Sequence, residues 1–299
     1  MPAANRSAGR DVHLYDMKDP DTVLGGLILT NGVTNANLYS MLEIFCIFDS
    51  TYFLREEHGM ILQRDDHPLN PGNYYILTDA KFKHLGSITI SSEPWLVRTI
   101  SVASGTCAPQ FRDAVRERDR RCVLTGQWVP GADLGVWDSF EAAHIFPLAY
   151  EDHWINNNYS RWITIEPAAG GPINSVQNGM LLRSQMHNLF DNYIVSINPD
   201  DGYKIVCFRW DLDGVAGGHL DQEFLQHPHR PVDQLLRWHF RQAVFANMRG
   251  AGEPIFECDF PPGSDNMGEI MGAPKAAERM EFELFSRLVA NDRRGASSS

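Results

Sequence analysis

Cysteine is sparse in this chain and badly placed for cross-linking. The five cysteines (Cys46, Cys107, Cys122, Cys207 and Cys258) are odd in number, far apart, and never form a CxxC pair. That excludes a four-cysteine zinc site and argues against a disulfide framework. Most are expected to be buried thiols. Long apolar runs are also missing. The longest candidate, residues 38–53, is broken by Glu43, Asp49 and Ser50, short of the ~18 residues a membrane span needs. The opening stretch MPAANRSAGRDVH has no apolar core of the signal-peptide kind. The expectation is a soluble intracellular protein with no membrane partner. Basic residues are in deficit: 26 Lys and Arg stand against 38 Asp and Glu, a net charge of −12. Nucleic-acid binders usually present a basic surface, so any such surface here must be local. Residues 111–210 are the least acidic third, with 9 basic and 12 acidic side chains, and Arg112, Arg116, Arg118, Arg120 and Arg121 cluster just before Cys122.

What is present suits a globular protein. Hydrophobic residues make up 43% and charged residues 21% of 299, enough chain for one large domain or two ordinary ones. Residues 1–104 read as a mixed α/β region: a helix, or a helix and then a strand, over 38–54, and short strands at 60–63, 73–77 and 86–91, with a turn at 68–73. No catalytic constellation is visible there. Residues 105–210 open with a helix over 109–120, whose alternating charges predict a solvated face. Strands are expected at 122–125 and 140–145, the latter stopped by Pro147. A long connection follows to an Asn-Gly turn at Asn178. A helix is expected over 180–190, then two strands at 193–197 and 203–208 joined by the turn sequence Asn-Pro-Asp-Asp-Gly. Residues 211–299 predict a helical extension: one helix over 231–249, with Pro231 at its start and Gly250 beyond its end, and a second over 276–291.

The polar residues that stand out lie between Arg121 and Asp191. They sit in Cys122-Val-Leu-Thr-Gly126, Glu141-Ala-Ala-His144-Ile145, Asn178-Gly-Met-Leu-Leu182 and His187-Asn-Leu-Phe-Asp191. His187 and Asp191 are four apart, so on a helix they share one face and can meet one ion. Glu141 and Ala143 are two apart, so on a strand they share one face. His144 titrates near ~6.5 when unperturbed, which lets its neutral ring accept a proton at neutral pH. Taken singly, each residue has a plainer role: His144 as a satisfied core residue, Asn178 as turn geometry, and His187 with Asp191 as a solvated helix pair. His153, His227, His229 and His239 are expected in surface or packing roles.

In this order the motifs resemble the HNH endonuclease family, over about residues 111–208, and most closely the branch with an Ala-Ala-His-Ile first motif and a His-x-Leu-Phe-Asp end. The flanking Leu235-Leu-Arg-Trp-His-Phe and Asn247-Met-Arg-Gly-Ala-Gly-Glu-Pro resemble those of fungal HNH-domain proteins. The resemblance implies an α+β fold: a ββα-metal finger embedded in a larger mixed domain, between the mixed α/β N-terminal region and the C-terminal helices. It implies a metal-dependent nuclease hydrolysing phosphodiester bonds of DNA. His144 would be the general base and Asn178 the central Asn, nine residues before the helix His. His187 and Asp191 would hold one divalent cation, Mg²⁺ or Mn²⁺ in preference and Zn²⁺ as an alternative, because the carboxylate favours a harder ion.

Two departures from the family pattern matter. Many relatives place His or Asp immediately before the general base as a third ligand; here that residue is Ala143, as is usual in this branch, and Glu141 on the same strand face could supply a carboxylate from farther away. Relatives with a structural zinc carry two CxxC pairs; the matching positions here are Cys122, Thr125, Arg183 and Met186, so packing must hold the finger instead. The acidic charge and Ala143 suit a different reading, a repurposed HNH fold. It would be a small-molecule biosynthetic enzyme, such as a cyclase or isomerase, or a non-catalytic binding module. A basic groove at His144 would favour nucleic acid, and an enclosed apolar pocket a small substrate.

Overall fold

The computed structural model describes residues 6–57, 59–78, 87–96, 109–167 and 169–250. Cys107, Cys258 and the helix expected over 276–291 lie outside them.

The N-terminal part pairs β1 (Val12–Asp16) with β2 (Asp19–Leu27) in antiparallel register. Helix α1 (Asn35–Phe45) follows. Thr34 caps it: its hydroxyl accepts from the Asn37 N–H while the Asn37 side chain accepts from the Thr34 N–H, a reciprocal capping box. Leu38, Met41, Leu42 and Phe45 fall at helical spacing and are wholly buried. The chain then extends into β3 (Cys46–Phe48) and β4 (Tyr52–Glu56), turns into β5 (Gly72–Thr78), and later forms β6 (Ile88–Ile90) against β3. The main sheet runs β2-β1-β5-β4, with β1 and β5 parallel. The strand expected at 60–63 is absent. Met60 and Ile61 are exposed and Ile61 makes only an isolated bridge to Arg55; Leu62 enters the core and its N–H donates to the Leu54 carbonyl, but no continuous ladder forms.

Helix α2 (Pro109–Asp119) leads into a tight knuckle at 121–128. The strand expected at 122–125 is replaced by this knuckle. The Gly126 N–H donates to the Cys122 carbonyl and the Cys122 N–H to the Gln127 carbonyl, and Gly126 takes the positive φ of 70° that the reversal requires. The finger proper is β7 (Phe140–His144), the short helix α3 (Glu151–Asn156) within a long connection, β8 (Gly179–Arg183) antiparallel to β7, and α4 (Ser184–Asp191). The helix expected from residue 180 begins only at Ser184. Met180, Leu181 and Leu182 are wholly buried as a strand, because a short apolar run fits a two-sided buried strand as well as a helix.

The hairpin of β9 (Val195–Asn198) and β10 (Lys204–Cys207) follows, then α5 (Gln222–Gln226) and α6 (Asp233–Met248). Helix α6 is apolar on most of its circumference. Leu235, Leu236 and Trp238 enter the core of the finger. Phe240, Ala243, Val244, Phe245 and Met248 enter the core under α1 and the N-terminal sheet. The two parts also touch backbone to backbone at Gly32 and Gly217, where a Cβ on Gly32 would lie 2.2 Å from the Gly217 Cα.

The face of α2 expected to be solvated is buried at its end. Arg118 and Asp119 are 2% and 0% exposed and pair side by side, Nε to Oδ1 at 2.5 Å and Nη2 to Oδ2 at 2.8 Å. The guanidinium also donates to the carbonyls of Val176, Gly179 and His229. The carboxylate accepts the Leu181 N–H at 2.7 Å. Burial of both charges is tolerated because the remaining donors and lone pairs are satisfied. Removing one partner leaves the other stranded, at a cost of about 3–5 kcal/mol. Asp119→Ala should therefore lower the urea-unfolding free energy by about that amount, and Asp119→Asn by less, since the amide oxygen still accepts from Leu181. A loss below about 1 kcal/mol for Asp119→Ala would show that Arg118 finds another counter-charge.

Candidate functional site

Strand alternation sorts the conspicuous residues of β7 onto two faces. The β7–β8 register is unbroken, with Glu141 opposite Leu182, Ala143 opposite Met180 and His144 opposite Gly179. Glu141 and Ala143 point toward α4. Ala142 and His144 point toward α2.

On the α4 face, Glu141, His187 and Asp191 come together. The Nδ1 of His187 lies 2.6 Å from Glu141 Oε2, and its Nε2 lies 3.3 Å from Asp191 Oδ2. The Ser184 hydroxyl donates to the other Glu141 oxygen at 2.7 Å. The sequence places this cluster through the helical spacing of Ser184, His187 and Asp191, three and four residues apart. Burial works against a charge on the His187 ring, but the hydrogen bonds and charges of Asp191 and Glu141 outweigh it and raise the pKa to about 9. The His187 hydrogen bond, aided by Ser184, holds the Glu141 carboxyl below its usual range despite partial burial. In the metal-free protein the ring is thus an imidazolium between two carboxylates.

The donor chemistry suits a cation held by two side chains. With Nδ1–H given to Glu141, Nε2 is the ring nitrogen left to face an ion beside Asp191. Their 3.3 Å separation falls between the edges of an octahedron and a tetrahedron, about 3.0 and 3.4 Å for bonds of about 2.1 Å. Glu141 meets the ring at the opposite nitrogen, Nδ1, where a carboxylate can orient an imidazole. Ala143 is wholly buried and offers nothing to coordinate. Among the described residues no group of three or more His, Cys, Asp or Glu side chains is placed to hold a metal ion.

On the α2 face, the His144 ring stacks on Phe111, centroids 3.7 Å apart and planes 10° apart. Gly179 leaves the space for Phe111: a Cβ there would sit 2.4 Å from its ring. His144 Nε2 lies 3.3 Å from Asn174 Oδ1. Asn178 is wholly buried and braces the backbone just beyond His144. Its carbonyl accepts the Ile145 N–H, its Oδ1 accepts the Phe146 N–H, and its Nδ2 donates to the Phe146 and Ile173 carbonyls. Asn178 therefore fixes both ends of the connection between β7 and β8 and presents no polar atom to a substrate. Asn174, Phe111 and Ser184 escaped the sequence reading. Ser184 carried a helical-spacing signal, and Asn174 stood one turn before Asn178, but nothing in sequence points to Phe111.

The arginines before Cys122 do not form an open basic patch. Arg112 pairs with Asp113, Arg118 with Asp119, Arg120 with Asp133 and Arg121 with Asp221, and Arg116 lies over the Trp137 ring. Two other histidines pack: His239 is buried between Ser196 and the Phe190 carbonyl, and His153 lies against Phe146 and Tyr159. His227 and His229 meet edge to face with no third donor grouped beside them. Cys46, Cys122 and Cys207 are buried thiols, and burial raises Cys46 and Cys207 to about 12.

The His187 shift has a sign that can be checked. A folded pKa raised from 6.5 to about 9 contributes stability that is full below pH 6.5 and disappears as pH rises through 9. In the presence of chelator, the urea-unfolding free energy of the wild type should fall across that window relative to His187→Gln. Parallel pH profiles for the two proteins would show that the ring is not held charged.

Residues 122–198 match the family described as HNH endonuclease, and residues 9–83 match a family described as a domain of unknown function (DUF8573). No curated protein and no solved structure matches the chain. Among the described residues no helix is long and apolar enough to cross a membrane. The matched segment spans the knuckle, β7, β8, α4 and β9, and with them His144, Asn178, His187 and Asp191: the chain carries an HNH endonuclease family domain.

Proposed function

We propose that the protein is a metal-dependent endonuclease that hydrolyses phosphodiester bonds of DNA. The observation that carries this reading is the Glu141–His187–Asp191 arrangement, in which an imidazole nitrogen and a carboxylate oxygen stand 3.3 Å apart with the other ring nitrogen already engaged. His187 and Asp191 would hold one divalent cation, Mg²⁺ or Mn²⁺ in preference to Zn²⁺, with water completing the sphere. When bound, such an ion would supply charge stabilisation to the scissile phosphate and the leaving oxygen. His144 accepts the proton of the attacking water on its neutral ring. Phe111 fixes the plane of that ring, and Asn178 holds the strand end that carries it. His144 ends β7 and leaves it on the face opposite Glu141, so the scissile group must lie across the end of the strand. An extended polymer backbone meets that requirement better than a small molecule enclosed on one face.

The repurposed-fold reading is favoured by one observation: the arginines nearest the site are engaged with acidic or aromatic side chains. The two readings part in a single experiment. Purified protein is incubated with plasmid DNA and Mg²⁺, Mn²⁺, Zn²⁺ or chelator, and metal binding is followed by calorimetry. The expected result is metal-dependent cleavage, a loss of about 10²–10⁴-fold in His144→Ala with metal affinity retained, and loss of metal affinity in His187→Ala and Asp191→Ala. Equal cleavage by His144→Ala would remove it as the base. An ion bound without cleavage of DNA under any metal would favour the repurposed fold.

A further inference from the structure

We infer that Asn174 is a positioning residue for His144, setting both its orientation and its tautomer, with the proton on Nε2. The inference deepens the nuclease reading, since it concerns the same histidine, and it rests on that reading only for its kinetic consequence. The Nδ2 of Asn174 donates to the Gly170 carbonyl at 2.6 Å. A carbonyl can only accept, so this bond fixes which end of the amide is nitrogen, and the oxygen is the end that faces His144 Nε2 at 3.3 Å. Oδ1 is likewise only an acceptor, so Nε2 must carry the hydrogen. A neutral imidazole has one N–H. Its lone pair is therefore on Nδ1, and Nδ1 is the atom that takes up the proton of water.

Phe111 completes the restraint. Stacking at 3.7 Å and 10° fixes the ring plane, which leaves two settings related by a half-turn about Cβ–Cγ. One puts Nε2 against Asn174. The other puts Cε1 there and forfeits the hydrogen bond. Asn174 thus selects the edge and Phe111 the plane. Asn174 is itself held: it is buried to 9% exposure, and it ends a 3-10 turn, residues Pro172–Asn174, entered through Gly170 and Gly171 at φ values of 83° and 72°. A Cβ on Gly170 would lie 2.9 Å from Asn174 Nδ2, so the backbone approach that orients the amide requires glycine.

The test reads the tautomer directly, in metal-free protein, by two-bond ¹H–¹⁵N correlation of the His144 ring at a pH where the ring is neutral. Wild type should show a protonated Nε2 and an unprotonated Nδ1. Asn174→Ala should shift the ring to a mixture of tautomers. Gly170→Ala, acting from the far side of the amide, should perturb the ring as Asn174→Ala does. If cleavage is seen in wild type, Asn174→Ala should lower kcat by about tenfold, the worth of one hydrogen bond, with little change in KM. A wild-type ring protonated on Nδ1, or an unchanged tautomer in a folded Asn174→Ala, would overturn the inference. The wild-type spectrum decides even if the alanine variant does not fold. Wild type with the expected tautomer but no nuclease activity would leave the positioning role standing and remove the nuclease reading alone.

Discussion

The buried pair of Arg118 and Asp119 is the interaction that joins α2 to the finger. Arg118 and Asp119 end α2, and through four hydrogen bonds to backbone they reach Val176 and Gly179 before and at the start of β8, Leu181 within it, and His229 beyond the finger. A zinc would tie the knuckle to the start of the helix; only Cys122 remains of the four positions such a site needs. The knuckle is instead stitched to β8 by the Val123 N–H to the Leu181 carbonyl, next to the bond that Asp119 makes to the N–H of the same residue. The pair also reaches outside the matched segment, to the carbonyl of His229. Helix α6 ties the finger to the N-terminal sheet by filling both cores.

That scaffold sets what the site can be. With β8 pinned on one side by α2 and on the other by α4, β7 cannot slip register, and a one-residue slip would exchange its faces. Glu141 is thereby committed to α4 and His144 to α2. The cluster on each side is held by short local contacts: Ser184 and His187 on Glu141, Phe111 and Asn174 on His144. The connection of more than thirty residues between the strands is long for a compact domain, yet its end is anchored where it matters. Asn178 binds the backbone on both sides of the site, and Gln177 binds Thr164 and Ile165.

His187, Asp191 and Glu141 were legible from spacing, whereas His144 and Asn178 stood out only through the resemblance to the HNH family. A separation of four on a helix brings His187 to Asp191 whatever surrounds them, and a separation of two on a strand places Glu141 over Ala143. Such local rules do not reach contacts made between distant segments. Phe111 meets His144 across 33 positions, and its only local trace is an apolar residue in a charged helix. Arg118 and Asp119 looked like a solvated pair because adjacent charges in an alternating run usually are; their burial follows from where α2 packs. Met180 to Leu182 could be assigned to either element, since an apolar run of that length carries no period. The turn between β9 and β10 was different in kind: there the residues act on their own backbone.

Electrostatics explains how an acidic protein could accept a phosphate at this site. Without a metal, the cluster on the α4 face holds one imidazolium and two carboxylates, a single net negative charge. The neighbouring arginines are turned to other partners, so little else offsets it. A divalent cation at His187 Nε2 must first displace the proton there. The two positive charges it brings then balance the two carboxylates, and the cluster passes from negative to neutral. In the proposed reading the repulsion that opposes a phosphate is removed by the same event that supplies the Lewis acid. Substrate binding and metal binding are then linked, each strengthening the other by the same factor. Because the proton is lost in the exchange, the linkage extends to pH.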